Sequence, residues 1–243
     1  MSYTVGSLFA GIGGICIGFH QAGFNISWAN EYDHKACETY RYNIDVIDPN
    51  VKLYEEDIIN FTPPHNKIDV LAGGFPCQPF SLAGQRLGKQ DPRIFMENVS
   101  NLKTIHNHSF YDEMIETLHE CGYQYVWDQI MNTKDYSNIP QFRNRIYFVA
   151  FRRKEDYLEF TSKPFQKVSR QPEINDIIDR SIKAPQYSYY GPYNAKHFDD
   201  FERDVVRIDT TYQYRRIRIR ENRSKLCPTL TASMGIGGHN VPI

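Results

Sequence analysis

The chain has no run of 18 apolar residues, no C-x-x-C pair, no internal repeat and no low-complexity tract. The first absence argues against a membrane-spanning helix. Its five cysteines, Cys16, Cys37, Cys77, Cys121 and Cys227, are odd in number and scattered. That pattern speaks against a disulfide framework or a zinc site and for a reducing compartment, in a bacterium the cytoplasm. The apolar start, YTVGSLFAGIGGICIGF, has no basic stretch before it and is broken by five glycines, so it reads as part of the fold and not as a targeting signal. An excess of one charge is missing too: 28 Lys/Arg stand against 29 Asp/Glu. Composition alone therefore names no partner. With 243 residues, 41% of them hydrophobic, the chain can bury a core without covalent help.

What is present is unevenly placed. Residues 152–243 carry 17 Lys/Arg and 12 Asp/Glu, whereas residues 1–151 carry 11 and 17. An acidic front and a basic back suggest two units with different tasks. The front alternates between strand and helix patterns. VGSLFA reads as a strand; Ile15, Phe19 and Ala22 mark a helical face that Gly23 ends. Phe24, Ile26 and Trp28 alternate as a second strand, Ala36, Cys37 and Tyr40 fit a helix, and VKLY, KIDVLAGG and IFMENV are further strands. Ser109 and Asp112 resemble a capping box at the start of a helix ending at Gly122, and RIYFVAFR is a closing strand. This alternation predicts an α/β domain with a mostly parallel sheet, whose ligands bind off the carboxyl ends of the strands. Gly11, Gly13, Glu31, Asp57, Cys77 and Glu97 all fall at such ends. Beyond Arg153 the alternation stops, and residues 211–225 gather six Lys/Arg against one Glu.

Four groups of residues carry chemical possibilities, each beside a plainer reading. FAGIGG followed by Glu31 suits a cofactor that approaches a glycine turn and gives ribose hydroxyls to an acid. The G-x-G-x-x-G form fails at Cys16, which favours an adenosine-type ligand without a pyrophosphate, S-adenosylmethionine foremost, with Asp57 placed to read the adenine amino group. The plainer reading is a tight turn with solvated acids. Cys77, between two prolines in GGFPCQPFSLAG, is a nucleophile if a cation or base makes it a thiolate, and packing otherwise. Glu97 ends an apolar strand, where poor solvation raises a carboxyl pKa and lets it donate a proton; a capping role is the alternative. Arg143 and Arg145 in QFRNR, and the arginines of 211–225, suit phosphates or guanine edges, or are solvated faces.

In this order, SLFAGIGG, WANEYD, EEDI, GGFPCQPFS, MENV and PQFRNRIY resemble the successive motifs of the cytosine-C5 DNA methyltransferases of bacterial restriction-modification systems. The resemblance implies a Rossmann-like methyltransferase fold over residues 1–151 and a smaller, irregular target-recognition region over residues 152–243. It implies transfer of a methyl group from S-adenosylmethionine to carbon 5 of a flipped cytosine in double-stranded DNA, through a covalent adduct with Cys77. Glu97 would hydrogen-bond or protonate N3, and Arg145 would hold O2. Arg143 and Ser81 would steady the flipped nucleotide. Phe9, Gly11, Gly13, Glu31, Tyr32, Asp57, Ile58 and Pro76 match the family's cofactor-contacting positions, and CPTLTASMG, with Thr229 and Thr231, resembles its DNA-binding threonine-leucine signature. No metal is implied. A cognate restriction endonuclease is the expected companion.

Two departures qualify the match. DPR runs directly into IFMENV, where the family inserts a segment with a helix, so parallel pairing across that junction is expected to be strained. The chain also stops at GGHNVPI, before the family's last motifs. A poor catalyst is expected on this basis. A DNA-binding remnant, one subunit of a split enzyme completed by a second chain, and an unrelated Cys77 thiol enzyme using one of the eight histidines are the rival readings.

Overall fold

The structure, a computed structural model, describes residues 2–64, 67–75, 92–104, 108–179, 181–183, 185, 198–215, 218–231 and 241–242. Two compact units emerge: Met1–Ile130 with Arg145–Pro164, and Met131–Asn144 with Phe165–Ile243. The first is an α/β unit. Its elements are β1 (Thr4–Leu8), α1 (Gly14–Gln21), β2 (Asn25–Glu31), α2 (His34–Ile44), β3 (Lys52–Glu55), β4 (Val70–Gly73), β5 (Arg93–Val99), α3 (Ser109–Glu120), β6 (Tyr125–Asn132), β8 (Asn144–Phe151) and α5 (Lys154–Thr161). The sheet order is β3-β2-β1-β4-β5-β8-β6. Neighbours from β3 to β5 run parallel and β5 meets β8 antiparallel. The expected mostly parallel α/β architecture is what forms.

Both faces of this sheet are covered, so β4 (VLAG) is apolar and buried throughout and β1 buries every residue from Val5 to Leu8, Ser7 included. On one face Val5, Val70 and Ala72 pack with Cys16, Tyr40 and Ile44 of α1 and α2. On the other, Leu71, Ile94, Met96, Ile146 and Phe148 pack with Met114 and Leu118 of α3.

Several expectations change in detail. Phe24, Ile26 and Trp28 do not share a face: Phe24 and Ile26 join the α1/α2 side and Trp28 the α3 side. The cause is a register shift in which Val5 pairs with Ile26 but Gly6 with Trp28; one extra residue flips every later side chain. The capping box at Ser109 is not made. Ser109 is the first helical residue, preceded by His108 in a left-handed conformation (φ 73) without a side-chain cap. β4 and β5 do pair in parallel, Val70 with Arg93 through Gly73 with Met96. The connection from Gly74 to Pro92, counted whole, exceeds the dozen residues a crossover needs. The junction is thus no bar to the pairing.

The second unit contains α4 (Thr133–Tyr136), β7 (Gln141–Phe142), α6 (Phe198–Asp204), β9 (Thr211–Arg215), β10 (Arg218–Asn222), β11 (Cys227–Pro228) and β12 (Val241–Pro242). Sheets β10-β9-β12 and β11-β7 organise it. Its boundary differs from a division at 151/152 for two reasons. Tyr157 and Phe160 of α5 pack edge-on or tilted against Tyr125, Trp127 and Phe151 of the sheet, keeping residues up to 164 with the first unit. Residues 131–144 instead bond to later segments, as in Val168 N–H to the Asp135 carbonyl.

The flipped Trp28 lies over Gly6, where an added Cβ would run into the indole. Trp28 is 2% exposed and cannot withdraw. Gly6→Ala is expected to destabilise the protein by about 1–3 kcal/mol through overpacking, read as a lower urea midpoint. Gly18→Ala in α1, where a Cβ meets nothing within 4 Å, is the control and should be neutral or mildly stabilising, since alanine favours helix. Equal midpoints for the two variants would contradict the account.

Candidate active site

The carboxyl ends of β1 to β5 form one edge of the sheet, and the first candidate group sits there. After Leu8 the backbone turns sharply: Phe9 (φ 51), Gly11 (φ 55) and Gly13 (φ 97) are all left-handed. Phe9 is a non-glycine outlier of the kind that gathers at functional sites, and its side chain packs on the main core. Gly13 N–H donates to the Ala10 carbonyl, and Gly13 caps α1. A Cβ on Gly13 would press on Ile44 and Tyr40, whereas one on Gly11 would meet nothing within 4 Å. The turn is closed towards α2 and open outwards.

Glu31 holds this turn. Its Oε2 accepts the Gly11 N–H at 2.8 Å, and its Oε1 accepts the Tyr32 and Asp33 N–H groups, both at 2.9 Å. A carboxylate offers about four acceptor positions, so one remains for a donor such as a ribose hydroxyl. Tyr32 is 71% exposed beside it. Asp57, exposed, follows β3 and accepts the Ile59 N–H, and Ile58 packs on the core. Buried Asn30 donates to the carbonyls of Tyr54 and Glu56, fixing the end of β3 beside β2. Open glycine backbone, a carboxylate with spare capacity and an exposed ring on adjacent strand ends fit an adenosine-type cofactor.

The second group lies at β5. Gly73 pairs with Met96, so Glu97 stands one residue past the end of β4. A Cβ on Gly74 would lie 3.6 Å from Glu97 Oε2. Across the antiparallel pair, Arg145 on β8 donates from Nε to Glu97 Oε1 at 2.8 Å, both side chains largely covered. Asn98, buried on the opposite face, donates its amide to the Phe75 carbonyl at 3.0 Å, tying β5 to the segment that enters the cysteine loop. Asn98 and Asn30 are not among the site residues that the motifs point to. Asparagines inside otherwise apolar strands were the available signal, because a buried amide needs partners.

Pro76, Cys77 and Ser81 lie outside the described residues. Three other thiols are poor candidates for the nucleophile: burial and nearby carboxylates push buried Cys37 up to about 11, and desolvation raises buried Cys16 and half-buried Cys227. Among the described residues no group of three or more His, Cys, Asp or Glu could hold a metal, and no helix is long and apolar enough to cross a membrane.

The remaining candidates belong to the second unit. Cys227 and Pro228 pair in parallel with Gln141 and Phe142. Thr229 Oγ1 donates to the Phe142 carbonyl at 2.7 Å, and Arg143 Nη1 donates to the Leu230 carbonyl at 3.1 Å. The structure thereby brings Thr229 and Arg143 together; Thr231 ends the described part of that segment. Arg143 and Arg145, two residues apart, have different partners. Strand β6, in which Tyr125, Trp127 and Gln129 alternate with Val126, Asp128 and Ile130, and helix α5 add to the elements expected from the sequence.

The sequence model described as C-5 cytosine-specific DNA methylase matches residues 3–94 and 89–224, its two pieces meeting just ahead of MENV. The Type II methyltransferase M.Bsp6I of Bacillus sp. (strain RFL6) is 39% identical over 262 residues, covering 98% of this chain and 80% of that protein. M.NgoFVII of Neisseria gonorrhoeae is 38% identical over 167 residues, 60% of this chain and 43% of that one. The chain thus spans most of the first relative and less than half of the second. Among solved structures, DNMT2 of Spodoptera frugiperda superposes with a TM-score of 0.59 at 21% identity, over 75% of this chain and 61% of that one. The S. pombe Dnmt2 methyltransferase gives 0.57 at 22%, over 78% and 63%.

Beside Glu31, its strand partner Glu55 accepts from Arg41 at 2.7 Å and meets His34 Nδ1 at 2.6 Å, pinning the start of α2 to β3. Glu55 raises the His34 pKa, and Arg41 and His34 lower that of Glu55. The His34 contribution is complete below about pH 6.5 and fades as pH rises through its raised folded value; that of Glu55 is present above about pH 4.3 and fades below it. His34→Ala should therefore lose a little Tm near pH 5.5 and nothing near pH 8.5, measured by thermal unfolding. A deficit that is the same at both values would contradict the linkage.

Proposed function

Because the chain belongs to the C-5 cytosine-specific DNA methylase family, we propose that it methylates carbon 5 of a cytosine flipped out of a specific double-stranded DNA sequence. Its place would be a Type II restriction-modification system with a cognate endonuclease. The cofactor is S-adenosylmethionine, which supplies an activated methyl group. Phe9, Gly11, Gly13, Glu31, Tyr32, Asp57, Ile58 and Pro76 would hold it, Glu31 offering its carboxylate to the ribose hydroxyls and Asp57 to the adenine amino group.

The residues of the second group act on the base. The Cys77 thiolate bonds to C6 of the cytosine, and the C5–C6 electron pair moves towards C5 and the N3–O2 side of the ring. Glu97 meets N3 with a proton or hydrogen bond, and Arg145 holds both O2 and Glu97. The electron-rich C5 would then accept the methyl group as the S–CH3 bond breaks and S-adenosylhomocysteine leaves. Loss of the C5 proton to solvent and departure of the thiolate from C6 restore the ring. Arg143 and Ser81 steady the extruded nucleotide, and Thr229 and Thr231 lie in the region that meets DNA. The observation that carries this reading is the Glu97–Arg145 pair at 2.8 Å, beside Gly74 at the entry to the cysteine loop. The pair keeps a carboxyl and a guanidinium together at one end of the loop that bears the nucleophile. Readings as a DNA-binding remnant or one subunit of a split enzyme have no comparable observation in their favour.

The test is transfer of labelled methyl groups to unmethylated DNA, with 5-methylcytosine identified by mass spectrometry. Because β4 and β5 pair in parallel despite the short junction, that ground for poor catalysis falls away and wild type should methylate; Cys77→Ser should give no product, and Glu97→Gln should turn over about 10²–10⁴ times more slowly. Product from Cys77→Ser would overturn the covalent route. No product from wild type, restored by a second chain, would establish the split enzyme instead.

A further inference from the structure

The basic stretch of 211–225 is not used by any step above. β10 is the outer strand of the β10-β9-β12 sheet. Ile219 faces Tyr214 across the β9–β10 ladder and packs with Phe201 and Tyr212. Arg218 and Arg220 therefore project from the opposite face, and both are exposed.

Their ion pairing sets them apart. In this unit Arg170 pairs with Asp176, Arg203 with Asp204, Arg207 with Asp209 and Arg223 with Glu221, while Arg143 donates to the Leu230 carbonyl. Among the arginines whose side chains are described, Arg218 and Arg220 are the two with neither a carboxylate nor a carbonyl partner. Two like charges about 6.8 Å apart along one strand repel each other and do nothing for the fold. They line an open groove of about 580 Å³ together with Asn222, Arg223 and Ser224, an arrangement rich in donors.

We infer that Arg218 and Arg220 contact two backbone phosphates of the DNA duplex, setting affinity and orientation without reading sequence. The inference rests on the reading that DNA is the substrate. Anionic phosphate complements the uncompensated charge, and a guanidinium presents a flat fork that suits it. The competing explanation is that charges on an outer strand keep it from pairing with other chains.

The experiment is the salt dependence of binding to cognate duplex and to unrelated duplex of equal length, with wild type, Arg218→Gln/Arg220→Gln and Arg218→Lys/Arg220→Lys. Each phosphate contact contributes about 0.9 to the slope of log K against log salt. The glutamine pair should reduce the slope by about 1.8 on both duplexes, leave the preference for cognate DNA unchanged, and the lysine pair should restore most of the slope. An unchanged slope in the glutamine pair overturns the inference, and self-association of that variant on gel filtration with the slope intact would establish the edge-protection role. A fall in preference with no change of slope would assign these residues to base reading and overturn it too. Wild type without salt-dependent binding would overturn both the inference and the DNA reading beneath it.

Discussion

The cofactor side of the sheet edge depends on one carboxylate. Glu31 accepts three backbone N–H groups, one from the turn after β1 and two from the turn that starts α2. These are donors that a left-handed turn and a helix start leave without ladder partners. A neutral side chain of the same length would offer fewer acceptors. The sharp turn through Gly11 and Gly13 and the entry to α2 are therefore set by the same group that keeps acceptor capacity for a ligand.

The β5 side follows a different logic. Glu97 and Arg145 are both largely covered, and an ion pair of that kind contributes little to stability because desolvation offsets attraction. Its value lies in position. The antiparallel register of β5 and β8 sets the two side chains on the α1 face, where Phe95 also meets Tyr147. On the reverse face Asn98 holds the Phe75 carbonyl, so adjacent residues of one strand serve the pair and the loop entry.

Charge distribution separates the two units. The basic stretch near the end of the chain lies in the unit built on β9 and β10, where Arg170, Arg203, Arg207 and Arg223 each pair with a carboxylate close by in the chain. Local pairing of this sort makes a solvated surface and says little about a partner. The charges left over after that pairing, Arg218 and Arg220, are the ones free to meet an anion, a distinction that counting Lys and Arg along the chain does not reach.

The sequence by itself determined the alternation of strands and helices, the α/β class and the strand ends where Gly11, Glu31, Asp57 and Glu97 stand. These are local properties: periodicity, glycine at left-handed turns, and acids closing apolar runs. The succession of motifs from SLFAGIGG to PQFRNRIY was legible for the same reason, since each motif is a short string. Only the tertiary structure decided which face Trp28 takes, because a register shift against β1 is a relation between strands. It alone paired Glu97 with Arg145 and Thr229 with the strand bearing Phe142, contacts between residues far apart in the chain. It also joined α5 to the sheet through ring packing at Phe151, Tyr157 and Phe160, moving the boundary between the units. Such contacts depend on which surfaces meet once the backbone has folded, and no local pattern encodes that.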